Sequence, residues 1–355
     1  MAKRFKRLLR AATGGGAAVH SSVTGAPPPP VADPLSQALR PAQEAAGYAL
    51  ASYQTLGSFA ERSLLLQGRM ACRQLPVRQP VADLAAVEFR VFSQWGEDGI
   101  VEWLVAHVPV PNHRFVEFGV ENFREANCRF LMMNRNWRGL VMDGSDAHMA
   151  FVRSEACYWM YDVTAKAAFV TADNIDALIT EAGFAGPLGI LSIDIDGNDY
   201  WIWERIGSVD PAIVICEYNP ILGDRYPIVV PYADDFTRFA SHHSGLHFGA
   251  SIAALRHLAE RKGYTFVGTN SNGINAFFVR SDLAGSVLPY LVETRAYASR
   301  HRDSRDENGQ LSFAGGPDRL ALIADRPVVD VTTGATLRLG DLETPYSDAW
   351  LADMS

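Results

Sequence analysis

RFVEFGVENFREANCRFLMMNRNWRGLVMDGS, residues 114–145, decides the fold. Two short apolar runs, 114–120 and 138–145, flank a segment with helical spacing, REANCRFLMMNRN. Runs this short and this apolar read as strands buried on both faces. A strand, a helix and a second strand within 32 residues make a β-α-β unit, whose strands lie parallel.

The same alternation continues downstream. CYWMYDV (157–163) reads as a third strand, followed by a helix in TADNIDALITEAG with Thr171 as its cap. LGILSIDID (188–196) is the fourth strand, DYWIWERIG a helix, and AIVICEYN (212–219) the fifth strand. SIAALRHLAERKG (251–263) is an amphipathic helix ending at glycine. YTFVGTN and NAFFVRSD then flank the turn SNG as a hairpin. The expected fold is a doubly wound α/β domain with a mostly parallel sheet and an antiparallel edge strand.

Upstream, an apolar stripe at helical spacing runs from Leu35 to about Leu75 and predicts one long helix or two shorter ones. It is free to pack on the main domain or on a second copy of the chain. Residues 11–34, with the run PPPP, read as a linker. Residues 1–10 are basic, with Phe5, Leu8 and Leu9 among the charges. They read as a solvated tail, with weak contact to an anionic membrane surface as the second reading. The expected organisation is 1–34 tail and linker, 35–80 helical, 81–295 α/β domain, and 296–355 a C-terminal extension with a polar loop and small β-hairpin.

Charge restricts the partners. The first 80 residues hold ten Lys/Arg against three Asp/Glu, and the rest hold 22 against 37. An acidic main domain argues against nucleic acid, which is gripped by Lys/Arg clusters. Four scattered cysteines without a CxxC pair suggest neither zinc nor a disulfide framework. They fit reduced thiols in the cytoplasm. No apolar run is long enough to span a bilayer.

Ligands of open α/β sheets bind beyond the carboxyl ends of the strands. Here the successive predicted strands end at Glu117, Asp143, Asp162, Asp194 with Asp196, and Glu217 with Asn219. Asp143, followed by Gly144 and Ser145, lies 26 residues after Glu117, near the spacing of a ribose-binding acid. Gly119 would let a ligand approach the backbone. A dinucleotide turn needs a glycine-rich pyrophosphate cradle. EFGVENF has one glycine and two acids, so it suits a cationic, amino-bearing ligand better. That favours S-adenosylmethionine over NAD.

The pieces FSQWGEDGIVEWL, FVEFGV, GLVMDGS, LSIDIDGNDYWIW, CEYNP and KGYTFVGTNSNGINAFFVR, between about Phe92 and Leu283, resemble a class I S-adenosylmethionine-dependent methyltransferase of the FkbM-like group. The resemblance implies a seven-stranded Rossmann-like sheet. It implies Glu117 and Gly119 at the methionine part of the cofactor, Asp143 on the ribose and Asp162 near adenine. It also implies that Gln94, Glu97 and Asp98 cover the pocket. Their alternative is local, a helix N-terminus capped by Ser93 with acids in its first turn. The acceptor implied is a sugar hydroxyl on a glycan, glycolipid or secondary metabolite.

Two readings compete at the fourth and fifth strand ends. Asp196, Glu217 and Asn219 could hold Mg²⁺, since oxygen ligands suit hard cations. Alternatively Asp196, on the same strand face as Asp194, or a histidine, His243 or His247, acts as general base on the hydroxyl. Asp199 is expected to cap the next helix. A non-catalytic binding module with the same fold, or a NAD-type oxidoreductase, is the alternative to a transferase.

Overall fold

The computed structural model describes residues 34–354 of the chain. The tail and linker expected before residue 34, with their membrane reading, lie outside them. The chain divides into two units at Phe59 and Ala60. The apolar stripe forms a single helix, α1 (Pro34–Cys72). Leu39, Tyr48, Leu50, Leu56 and Phe59 on it are exposed.

The second unit is built on seven strands. They are β1 (Arg114–Phe118), β2 (Arg138–Asp143), β3 (Val163–Ala167), β4 (Gly186–Ile193), β5 (Val209–Glu217), β7 (Tyr264–Thr269) and β8 (Asn275–Arg280), with a short β6 (Ile228–Val229) between β5 and β7 in the chain. The sheet order is β3-β2-β1-β4-β5-β8-β7. Strands β1 to β5 pair in parallel, and β8 runs antiparallel to both β5 and β7. This is the expected doubly wound, mostly parallel Rossmann-like α/β sheet, with the antiparallel strand on its β5 side.

Burial on both faces explains the unbroken apolar runs. Val116, Phe118, Leu140, Met142, Leu191 and Ile193 join one core. Phe115, Val141, Ile190, Ile213 and Phe277 join the other. Alternate residues of one strand therefore serve opposite layers. Helices α2 (Glu97–His107), α3 (Arg129–Arg135) and α4 (Asp146–Ser154) lie on the β1–β3 side in the chain. Helix α5 (Ala156–Met160) then precedes β3, and α6 (Ile175–Glu181), α7 (Asp199–Arg205), α8 (Arg238–Ser241) and α9 (Ile252–Lys262) complete the set used below.

The third strand is displaced from its expected place. CYWMY is a helical turn, and the strand begins at Val163. Asp162 therefore stands before β3. It pairs with Arg138 at the start of β2, 3.5 Å away, on the edge opposite the other acids. Helix α6 likewise begins later than expected. Asn174 occupies the cap position, and its side-chain oxygen accepts from the Thr171 backbone at 2.9 Å.

The C-terminal extension belongs to the same unit as the sheet. Its hairpin, β9 (Pro327–Asp330) and β10 (Thr336–Arg338), extends β6 into a second sheet of order β10-β9-β6. Ile221, Leu222, Leu246, Val328 and Leu339 fill the core between that sheet and its neighbours. Among the described residues no helix is long and apolar enough to cross a membrane.

Candidate functional site

The chain runs outward from β1 to β3 and then returns to place β4 beside β1. That reversal is the switch point where open α/β sheets bind ligands. A cavity of about 290 Å³ lies there, at the carboxyl ends of β1, β4 and β5. Its wall includes Gln94, Trp95, Glu117 to Glu121, Asp194, Asp196 and Glu217 to Ile221. Ser299, His301, Asp303 and Arg319 close it from the C-terminal extension.

Several acids at this edge are occupied by the backbone. Glu117 accepts from the Asn127 and Cys128 amides at 2.7 and 3.1 Å and from the Ser192 hydroxyl at 3.3 Å. It anchors the start of α3. Burial pushes its carboxyl up to about 7 even so. Asp98 accepts from the amides of Val91, Phe92 and Ser93 and from the Ser93 hydroxyl. Glu97 accepts from Trp95, Gly96, Asn270 and Asn275. Both acids stand in the first turn of α2, as the local reading had it, and organise the loop before it, but the cap position is Gly96 and not Ser93. Only Gln94 of the trio lines the cavity.

Gly119 lines the cavity, and its lack of a side chain also serves a neighbour. It adopts φ +80, and a Cβ there would stand 1.4 Å from the backbone oxygen of Asp194. The turn after β1 and the end of β4 are in direct backbone contact. Asp143, Gly144 and Ser145 sit at the end of β2, outside the cavity wall. The Asp143 carboxylate accepts from Glu121, Ser145 and His148 at 2.9, 2.8 and 3.1 Å. Three of its roughly four acceptor positions are engaged. It has room for one ribose hydroxyl, not two.

The structure gives the metal reading no support, and its amide is already engaged. Asn219 donates to the Leu246 and Phe248 carbonyls, both at 2.9 Å, and its oxygen accepts from the Ile221 amide at 3.0 Å. It is fully buried, and one lone pair of its oxygen is taken by that amide. Among the described residues no group of three His, Cys, Asp or Glu side chains is placed to hold a metal. Asn219→Ala is expected to cost about 3 kcal/mol, because it strands two buried carbonyls and an amide. Denaturant unfolding would measure it, and a loss below about 1 kcal/mol contradicts this account.

The two histidines predicted from the sequence are elsewhere. His243 is exposed and stacks on His242 at 4.2 Å. His247 is buried between the Ser241 hydroxyl at 2.6 Å and the Pro327 carbonyl at 2.9 Å. Neither lines the cavity. His301, in the polar run of the extension, does line it. Its ring meets Trp95 edge-on at 4.5 Å. Its backbone amide bonds Ser299, but its ring nitrogens have no hydrogen-bond partner among the described residues. Burial lowers its pKa, which favours the neutral, proton-accepting imidazole.

Asp196 sits at the rim with φ +56, a conformation that is strained for a residue with a side chain. It is exposed and pairs with Arg238 at 3.2 Å. The same guanidinium reaches Asp303 at 3.1 Å and lies 4.2 Å above the Phe248 ring. Arg238 thus bridges the β4 loop and the extension. Buried Arg319 donates to the carbonyls of Ser299 and His301 and holds that wall in place. Asp199 is the first residue of α7, with Asn198 at the cap position. Its carboxylate ties down the Ile195 and Gly197 amides at 2.8 and 2.9 Å. Asp194 and Glu217 remain at the floor. Burial, strengthened by repulsion from neighbouring carboxylates, Asp196 first for Asp194 and Asp194 first for Glu217, raises both carboxyls well above the ordinary range.

No family model matches the chain, and no curated protein matches it. Solved structures do resemble it. An O-methyltransferase from Bacillus cereus in complex with SAH is 14% identical over 47% of this chain and 72% of its own, with a TM-score of 0.31. The N-terminal domain of EvdMO1 with SAH bound is 13% identical over 60% of this chain and 93% of its own, TM-score 0.34. An S-adenosylmethionine-dependent methyltransferase from Clostridium acetobutylicum is 9% identical over 52% and 89%, TM-score 0.31. Likeness at this level concerns the fold alone.

Proposed function

We propose that the protein is an S-adenosylmethionine-dependent methyltransferase acting on an oxygen, with a sugar hydroxyl of a glycan, glycolipid or secondary metabolite as acceptor. One observation carries the reading. The switch-point cavity is walled by seven carboxylates (Glu117, Glu121, Glu125, Asp194, Asp196, Glu217 and Asp303) against two arginines, and a turn with one glycine enters it. A pyrophosphate would be repelled there, while a cationic ligand is favoured.

When bound, S-adenosylmethionine supplies a methyl group on a positively charged sulfur. The turn Gly119 to Glu121 and the end of β2 at Asp143 are the residues that would hold it. Trp95 gives the cavity an apolar face, and the buried floor excludes water from it. His301 is placed to take the proton of an acceptor hydroxyl on a free ring nitrogen. Positioning of the two partners supplies much of the remaining rate.

Calorimetry with S-adenosylhomocysteine tests the reading. Saturable binding is expected, and none at millimolar ligand overturns it. Binding without methyl transfer to any glycan extract assigns the chain to a non-catalytic module instead. His301→Ala is expected to lower turnover roughly 10²- to 10⁴-fold while keeping affinity for the homocysteine product. In the wild type, the acid limb of the pH–rate profile should fall below pH 6.5, because burial lowers the His301 pKa from that value. A limb above 6.5 would assign the proton to another group.

A further inference from the structure

We propose that Asp194, Glu217 and Asn275 form a binding site for the alkylammonium group of a ligand. The proposal deepens the reading above by naming a chemical feature of what enters the cavity, and it rests on that reading only for the ligand's identity. The three residues end or begin three adjacent strands. Ile193 is in register with Cys216, so Asp194 and Glu217 leave the sheet side by side. Glu217 is in turn paired with Asn275 across the antiparallel β5–β8 ladder. All three line the cavity.

Two of the three carry a buried acceptor that is unmet. Glu217 is 7% exposed, and its Oε2 is buried without a hydrogen-bond partner among the described residues. Asn275 is 2% exposed, and its Oδ1 is also buried and unpartnered. Its Nδ2 donates to Glu97 Oε1 at 3.1 Å, which fixes the amide so that Oδ1 is the free end. The nearest cation, Arg238, is committed to Asp196, Asp303 and the Gly245 carbonyl. Buried acceptors in native proteins are rarely left unmet. What is missing is a compact group with a positive charge and several donors. An ammonium has three N–H donors on one charged atom. A neutral hydroxyl brings one donor and no charge.

The electrostatics agree. Asp194 lies in the field of Asp196, Asp199, Glu117 and Glu97, and Glu217 in that of Asp194, Asp196 and Asp199, with Arg238 as its opposing charge. Burial and this crowding keep a proton on the pair when no cation is present. An arriving ammonium would displace it.

Glucosamine and glucose are suitable probes, titrated calorimetrically into the full chain with and without S-adenosylhomocysteine. Buffers of different ionisation enthalpy report protons released. Glucosamine is expected to bind at least tenfold more tightly than glucose and to release protons. Glu217→Gln, which keeps the shape and removes a buried charge, should weaken it at least tenfold, and Asp194→Asn should do the same. If glucosamine binds equally well to the product-loaded protein, the ammonium belongs to the acceptor. If the product displaces glucosamine and itself weakens in Glu217→Gln, the site takes the α-ammonium of the cofactor. Equal binding of both sugars, or no dependence of any amine on Glu217, overturns the proposal. So does Mg²⁺ binding that needs Glu217 while amines do not. Failure of the homocysteine product to bind at all would remove the methyltransferase reading and leave the glucosamine result on the ligand-free protein to decide this one.

Discussion

Gly119→Ala is expected to lower stability by about 4 kcal/mol or more and to abolish binding of S-adenosylhomocysteine. The added carbon would stand 1.4 Å from the Asp194 carbonyl oxygen. That neighbour is backbone and cannot swing aside. The positive φ adds its own strain for any residue with a side chain. Relief requires β1 and β4 to part at the edge where the ligand enters. Gly144→Ala is the control. Its new carbon would come no closer than 3.3 Å, to the Phe169 ring. Its cost should stay below about 1 kcal/mol. Denaturant midpoints and product affinity of both variants decide the matter. Equal effects at the two glycines would refute the assigned contact.

The second large effect is on pH. Stability is expected to fall as pH rises from 5 to 8. Burial pushes the carboxyls of Asp98 and Asp199 up to about 6 and that of Glu117 up to about 7. A carboxyl whose folded value lies above its unfolded one keeps its proton longer in the folded chain. Its contribution is complete below the unfolded value, near 4, and is lost as pH passes through the folded value. A shift of two to three units corresponds to about 3 kcal/mol for each such group. Asp194 and Glu217 are displaced in the same direction. Unfolding midpoints across that range, with carboxyl titrations followed by NMR, provide the measurement. Stability that climbs toward pH 8 would mean that the backbone donors on these acids outweigh their burial.

What the sequence disclosed follows burial. Strands covered on both faces, such as β4 and β5, write themselves as continuous apolar runs and were legible with the helices between them. Strand β3 closes one edge of the sheet, and its residues VTAKA are only partly buried. It has no apolar run to see. The aromatic CYWMY beside it imitated one, although Trp159 is 72% exposed on a helical turn. That misplacement carried Asp162 to the wrong edge. At the site, the acids of β4 and β5 were visible because strand ends mark the sheet edge. Their division of labour was not. Asn219, whose oxygen seemed fit for a metal, uses its NH2 to hold the Leu246 and Phe248 carbonyls, 27 and 29 residues away in the chain. His301 lies in a polar run without periodicity and Arg319 in a helix of four residues, too short to show a period, so no pattern marks them. The histidine cluster at 242–247 drew attention by proximity in sequence, yet His247 only pins the hairpin strand at Pro327.

The wall formed by Ser299, His301, Asp303 and Arg319 also sets an order in time. During synthesis a chain emerges from its N-terminus. All seven strands of the main sheet are present once Arg280 has appeared, while Arg319 follows 39 residues later. In that interval most of the two hydrophobic layers is present, with Tyr346, Trp350 and Met354 of one still to come, and the acid floor faces water, where it can stay ionised at little cost. Arrival of the last wall removes that water and raises the energy of the charges beneath it. Closing this wall over the acid floor is therefore expected to be opposed by the charges beneath it, and favoured by a cationic ligand present at that moment.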